Sequence, residues 1–170
     1  PTASAAMEAE FARVATCIDA IGTPAPQAPR MVVAGHGYGS HDDANPGLYP
    51  PLVSALGELA GTSEVLALTG DISRSGTLAS FETIDAELSA WPTVLVAPGN
   101  HDVGSPESRT AFESVFGPPF GSLPVGDALV LWLDTDVDDW RISGEQLGWL
   151  RQVLTSDEAE ALRPKVELTS

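Results

Sequence analysis

The stretch TVLVAPGNHD, Thr93 to Asp102, decides how this chain is read. A short apolar run is stopped by a proline and a glycine, and an amide, an imidazole and a carboxylate then follow in consecutive positions, Asn100, His101 and Asp102. An apolar run of that length bounded by turn residues reads as a buried strand. Polar side chains crowded at its carboxyl end cost little if that end opens into a cleft, where they can converge on one ligand.

The same pattern occurs twice upstream. MVVA, Met31 to Ala34, runs into GHGYGSHDD, and EVLALT, Glu64 to Thr69, runs into GDISRSG. Helical patterns separate these strands. Pro50 and Pro51 open one that carries Leu52, Val53, Leu56 and Leu59 and stops at Gly61. TLASFETIDAELSAW places Leu78, Phe81, Ile84 or Asp85, and Leu88 on one face, with Pro92 just past its end. Downstream, SPESRTAFESVFG reads as a short helix and ALVLWLDT as a strand paired with the PFGSL segment before it. ISGEQLGWLRQVL is a helix with Ser143 and Gln146 at capping-box spacing. Strand and helix in alternation predict an α/β fold, a mostly parallel sheet flanked by helices.

Ahead of this domain, residues 1–22 hold Met7, Phe11, Val14 and Ile21 at helical spacing and close on Gly22, an amphipathic helix. TPAPQAP, residues 23–29, is a stiff proline-rich linker into a domain spanning residues 30–170, whose last residues, DEAEALRPKVELTS, read as a polar tail.

Composition removes several function classes. With 170 residues, 43% of them hydrophobic, the chain can build one domain with a real core. A net charge of −16, with Lys165 the single lysine against seven arginines, lacks the basic stripe that a stable nucleic-acid partner or an anionic membrane requires. No apolar run reaches the roughly 18 residues of a membrane span, so no membrane insertion is expected. Cys17 stands alone, which excludes an internal disulfide and a cysteine-built metal site. No basic segment leads into an apolar one as in an uncut signal peptide, and the chain opens at Pro1, so a cytoplasmic location and secretion after leader removal both stay open.

The strand-end loops hold a carboxylate at Asp71, an amide at Asn100 and all three histidines, His36, His41 and His101. Oxygen and imidazole donors without sulfur suit divalent Mn, Fe, Mg or Zn. Asp134, Asp136, Asp138 and Asp139 lack the glycine and closing glutamate of a calcium loop and read as a solvated rim. The tryptophans, Trp91, Trp132, Trp140 and Trp149, read mostly as core and helix-packing residues.

At these loops the sequence resembles the calcineurin-like metallophosphoesterases. Their signature runs Asp-x-His after the first strand, Gly-Asp after the second and Gly-Asn-His-Asp or Glu after the third. Here LTGDISRSG matches the second block at Gly70 and Asp71, and APGNHD the third at Gly99 to Asp102. The resemblance covers about Arg30 to Leu154. It implies the N-terminal part of an α/β/β/α sandwich and a metal-dependent phosphoesterase that splits a phosphate mono- or diester of a small phosphorylated substrate by metal-activated water attack. It implies one or two divalent ions, with Asp71 bridging and Asn100 and His36 as further ligands. His101 would protonate the leaving oxygen, Asp102 would orient His101, and Arg74 would pair with the substrate phosphate; His41, in a stretch that also reads as an ordinary solvated turn, is a further candidate for substrate binding.

Two departures accompany the match. The first block reads His36-x-Tyr38 in place of Asp-x-His, and no histidine follows His101, where the family has more. The alternative implied is a catalytically degenerate binding or structural module on the same fold.

Overall fold

Three aliphatic strands, β1 (Met31–Ala34), β2 (Val65–Thr69) and β3 (Thr93–Ala97), lie parallel in the order β1-β2-β3. The computed structural model describes residues 30–39, 44–136, 140–161 and 165–168. The expected N-terminal helix, the linker and His41 fall outside these residues. Met31 lies opposite Val65 and Val65 opposite Thr93, so the strands run in step and finish level. That register brings the three polar loops to one edge.

The crossovers are helical, as the apolar spacing demands: α1 (Pro50–Ala60) between β1 and β2, and α2 (Leu78–Glu87) between β2 and β3. Two prolines start α1, where the missing N–H costs nothing, and α2 starts on a capping box in which Thr77 and Ser80 exchange side-chain bonds with each other's backbone. After β3 comes α3 (Asn100–Val103), a single turn, and then α4 (Pro106–Phe116).

Side-chain alternation in β2 and β3 splits the core into two layers. Leu66, Leu68 and Val96 face the helices with Phe81, Ile84 and Phe112, whose core includes an edge-on contact of the Phe81 and Phe112 rings, 5.7 Å between centroids. Val65, Ala67 and Leu95 face the other way and meet Val130. Strands buried on both faces read as unbroken apolar runs, which is why these were legible.

Val130 belongs to a second sheet, ordered β4-β5-β6, of β4 (Gly121–Val125), β5 (Ala128–Trp132) and β6 (Lys165–Leu168). Its far face packs Leu129 and Leu131 against Ala159, Trp149, Leu150 and Val153 of α5 (Gly144–Leu154) and α6 (Asp157–Ala161). The layer order is therefore helix, sheet, sheet, helix, in an α/β fold. No helix among the described residues is long and apolar enough to cross a membrane.

The second sheet is mixed, with β4 antiparallel and β6 parallel to β5, so the strand pairs are mostly parallel, as expected. Several other expectations need correction. The supposed polar tail supplies α6 and β6, because Val166 and its neighbours can pair with the exposed edge of β5. The GNHD stretch is a helical turn, since Gly99 serves as its N-cap. The Ser143 capping box does not form: Gln146 turns its side chain to the backbone of Asp134 instead.

Removing a fully buried ring leaves a cavity that the helix layer cannot close. Phe81→Ala and Phe112→Ala should each cost about 3–5 kcal/mol, whereas Val33→Ala, at a side chain 51% exposed, should stay within about 0.5 kcal/mol; urea unfolding of the three variants measures the contrast.

Candidate active site at the strand ends

The chain leaves each strand of the first sheet through a tight polar loop, and the loops are bonded to one another. The His36 N–H donates to the Gly70 carbonyl at 3.0 Å and the Tyr38 N–H to the Asp71 carbonyl at 3.3 Å. His36 and Asp71 both sit in the left-handed region, at φ 53° and 51°. Side chains other than glycine seldom adopt it unless their surroundings impose it. Gly99 must be glycine, because a Cβ there would collide with the carboxylate and backbone nitrogen of Asp71.

His36, Asp71 and Asn100 line one cavity of about 330 Å³, whose other walls include Gly35, Gly70 and Gly99. The two carboxylate oxygens of Asp71 have different partners. Oδ1 accepts the His101 backbone N–H at 3.2 Å, and Oδ2 faces His36 Nδ1 at 3.4 Å. The His101 side chain is exposed and does not belong to this cavity's wall; its ring lies 5.1 Å from that of Tyr38. Tyr38, buried, also meets the His36 ring in a tilted contact, 4.5 Å between centroids, and the Arg74 guanidinium lies 5.2 Å over its ring. A tyrosine thus stands between the two imidazoles and beneath the arginine.

Asp102 does different work from that expected. Its Oδ1 accepts the Ser73 N–H at 2.8 Å, while Oδ2 accepts Gly99 N–H at 2.9 Å and Ile72 N–H at 3.3 Å. The carboxylate is fully buried and ties the loop after β2 to the loop after β3, with its acceptor positions spent on backbone amides and not on His101. Burial pushes its pKa up to about 6, outweighing the three N–H bonds that pull it down.

Two further residues were misjudged from sequence. Asp134 is no solvated rim residue: it is buried, paired with Arg109 and held by Gln146, which accepts from the Asp134 N–H and donates to its carbonyl. The strand before it was the available signal, since Asp134 follows buried Leu133 directly, but the density of aspartates nearby masked it. Arg109, Asp134 and Gln146 form part of a second cavity of about 650 Å³. Trp140 is not a core residue either; it is 63% exposed, at φ 65°, in the wall of the His36–Asp71–Asn100 cavity.

Among the described residues no group of three or more His, Cys, Asp or Glu side chains is placed to hold a metal ion. The donors gathered at the smaller cavity are one carboxylate, one imidazole and one amide, from Asp71, His36 and Asn100.

No family model and no curated protein matches the sequence. Among solved structures, the chain is similar to the purple acid phosphatase PPD1 from yellow lupin (Lupinus luteus) seeds, with a TM-score of 0.62 and 18% identity over 85% of this chain. The chain spans 31% of the length of that structure. At this identity the likeness establishes a common fold, consistent with the layers described above.

Asp102→Asn would turn an amide NH₂ toward backbone N–H donors, and should cost about 2–4 kcal/mol. The cost should depend on pH. The folded pKa lies above the unfolded value of 3.8, so the folded chain holds the proton more tightly; the stability this contributes, about 3 kcal/mol, is complete below pH 4 and lost as pH rises through 6. The gap between native chain and variant in urea unfolding should therefore narrow from pH 4 to pH 7.

Proposed function

We propose that the strand-end site binds a divalent cation and hydrolyses the phosphate ester of a small substrate. The observation that carries this reading is the meeting of Asp71, His36 and Asn100 in one cavity at the level ends of parallel strands. The fold it shares with a protein named as a phosphatase supports it.

The donor chemistry fits one ion. A separation of 3.4 Å between His36 Nδ1 and Asp71 Oδ2 is long for a hydrogen bond, yet it brings an imidazole nitrogen and a carboxylate oxygen close enough that both would hold one ion. The amide oxygen of Asn100 supplies a third donor, and oxygen with imidazole suits Mn, Fe, Mg or Zn. The described residues offer no second set, so the reading commits to one ion. What such an ion supplies is charge against the phosphoryl oxygens and a more acidic water.

The chain's own groups do the remaining work. The His101 N–H holds Asp71 Oδ1, which leaves Oδ2 turned toward His36. The exposed His101 ring, on the residue next to Asn100, gives a proton from a ring nitrogen to the departing oxygen. Tyr38 keeps both imidazoles in place through tilted ring contacts, and Arg74, over its ring, reaches the substrate phosphate. Asp102 acts on the geometry alone, through the backbone.

A second reading has its own support. Tyr38 stands where a histidine would be expected, and the donor set is small; both favour a module that binds a metal and a phosphorylated ligand without turnover.

Calorimetric titration of the full chain with Mn²⁺, together with an aryl phosphate assay, separates the two. Asp71→Asn should weaken Mn²⁺ binding at least about tenfold and abolish turnover. His101→Gln should keep the metal and lose about 100-fold or more in kcat. Binding without turnover in the native chain selects the module; no binding of Mn²⁺, Zn²⁺ or Mg²⁺ overturns both.

A further inference from the structure

The geometry points to Trp140 as the specificity-determining surface of the strand-end site, selecting phosphate compounds whose organic group is a flat aromatic ring. The inference rests on the phosphoester reading above and adds the class of ligand.

Trp140 combines three observations that a packing role does not explain. It is the most exposed of the large apolar side chains described, at 63%. Its backbone is left-handed, at φ 65°, which a bulky side chain adopts only under constraint from its surroundings. It also lines the same cavity as His36, Asp71 and Asn100. An indole held in water in a disfavoured backbone conformation gains nothing for the core, so its effect must lie in what enters the cavity.

The other walls define what that can be. Gly35, Gly70 and Gly99 present bare backbone, and a Cβ at Gly35 or Gly99 would strike Thr69 or Asp71. His36, Asp71, Asn100 and Thr69 are polar. Among the described residues, Trp140 is thus the one large apolar surface in the cavity wall. A ligand whose phosphate occupies the polar end places its carbon skeleton against the indole. A planar ring gains most there, because offset stacking buries both faces at little entropic cost. The cavity, about 330 Å³, has room for a phosphate bearing one such ring.

Non-hydrolysable phosphonates test this without relying on turnover. Phenylphosphonate and methylphosphonate share the phosphate-like head and differ in the ring; each is titrated calorimetrically into the Mn²⁺-loaded full chain. The native chain should bind phenylphosphonate about fivefold or more tightly than methylphosphonate. Trp140→Ala should remove that preference while leaving methylphosphonate affinity unchanged, and Trp140→Phe should retain most of it. Thermal melts by circular dichroism confirm that both variants fold, as expected for so exposed a side chain. Equal affinity for the two phosphonates in the native chain, or a preference that survives Trp140→Ala, overturns the inference and leaves the phosphoester reading standing. Failure of both phosphonates to bind overturns the phosphoester reading and this inference with it.

Discussion

One buried carboxylate holds the strand ends together. Asp102 accepts hydrogen bonds from the backbone of Ile72, Ser73 and Gly99, which tie together two loops that are separate in sequence. Asp71 precedes Ile72, and Asn100 follows Gly99, so fixing those three amides fixes where the two polar side chains begin. An ionised group without water is costly unless its lone pairs are met by donors. Three N–H bonds meet that need only in part, as the upward shift of its pKa records.

The same constraint accounts for the unusual backbone around it. His36 and Asp71 take up left-handed conformations at the ends of adjacent strands, with Gly70 at φ 91° beside them. Such conformations survive where neighbouring structure over-determines them. Here the parallel register, the bonds from His36 to Gly70 and from Tyr38 to Asp71, and the contact of Gly99 with Asp71 supply the determination. The polar groups are consequently held in place before any ligand arrives, which is the condition for a site that binds or acts with economy.

Much of this was legible in the sequence because the second and third strands are buried on both faces, so VLALT and TVLVA announce themselves, MVVA carries the same aliphatic run although Val33 is exposed at the sheet edge, and the loops between strand and helix had to carry the polar residues. The direction of each side chain was not legible. On a helical turn successive residues point about 100° apart; His101 therefore faces out where Asp102 faces in, and adjacency in GNHD gave no hint that their partners differ. Trp140 and Asp134 were misplaced for a related reason: hydrophobicity suggests burial and charge suggests solvent, and a cavity wall and a buried ion pair with Arg109 reverse both rules. Gln146 fitted a capping motif by spacing, but spacing could not reveal the competing backbone of Asp134. The strand β6 escaped because its pairing depends on an edge formed far upstream.

That long-range pairing has a kinetic side. Of the strand pairs described, only β4 with β5 is a hairpin, closed by the short turn at Gly126 and Asp127; the β1–β2, β2–β3 and β5–β6 pairs join residues 34, 28 and 36 positions apart. Chain entropy must be lost across each of those loops before the parallel contacts repay it. Folding should accordingly begin at the hairpin and proceed slowly through states in which the aliphatic strands stand uncovered, and it is during assembly, more than in the finished molecule, that this chain is exposed to aggregation.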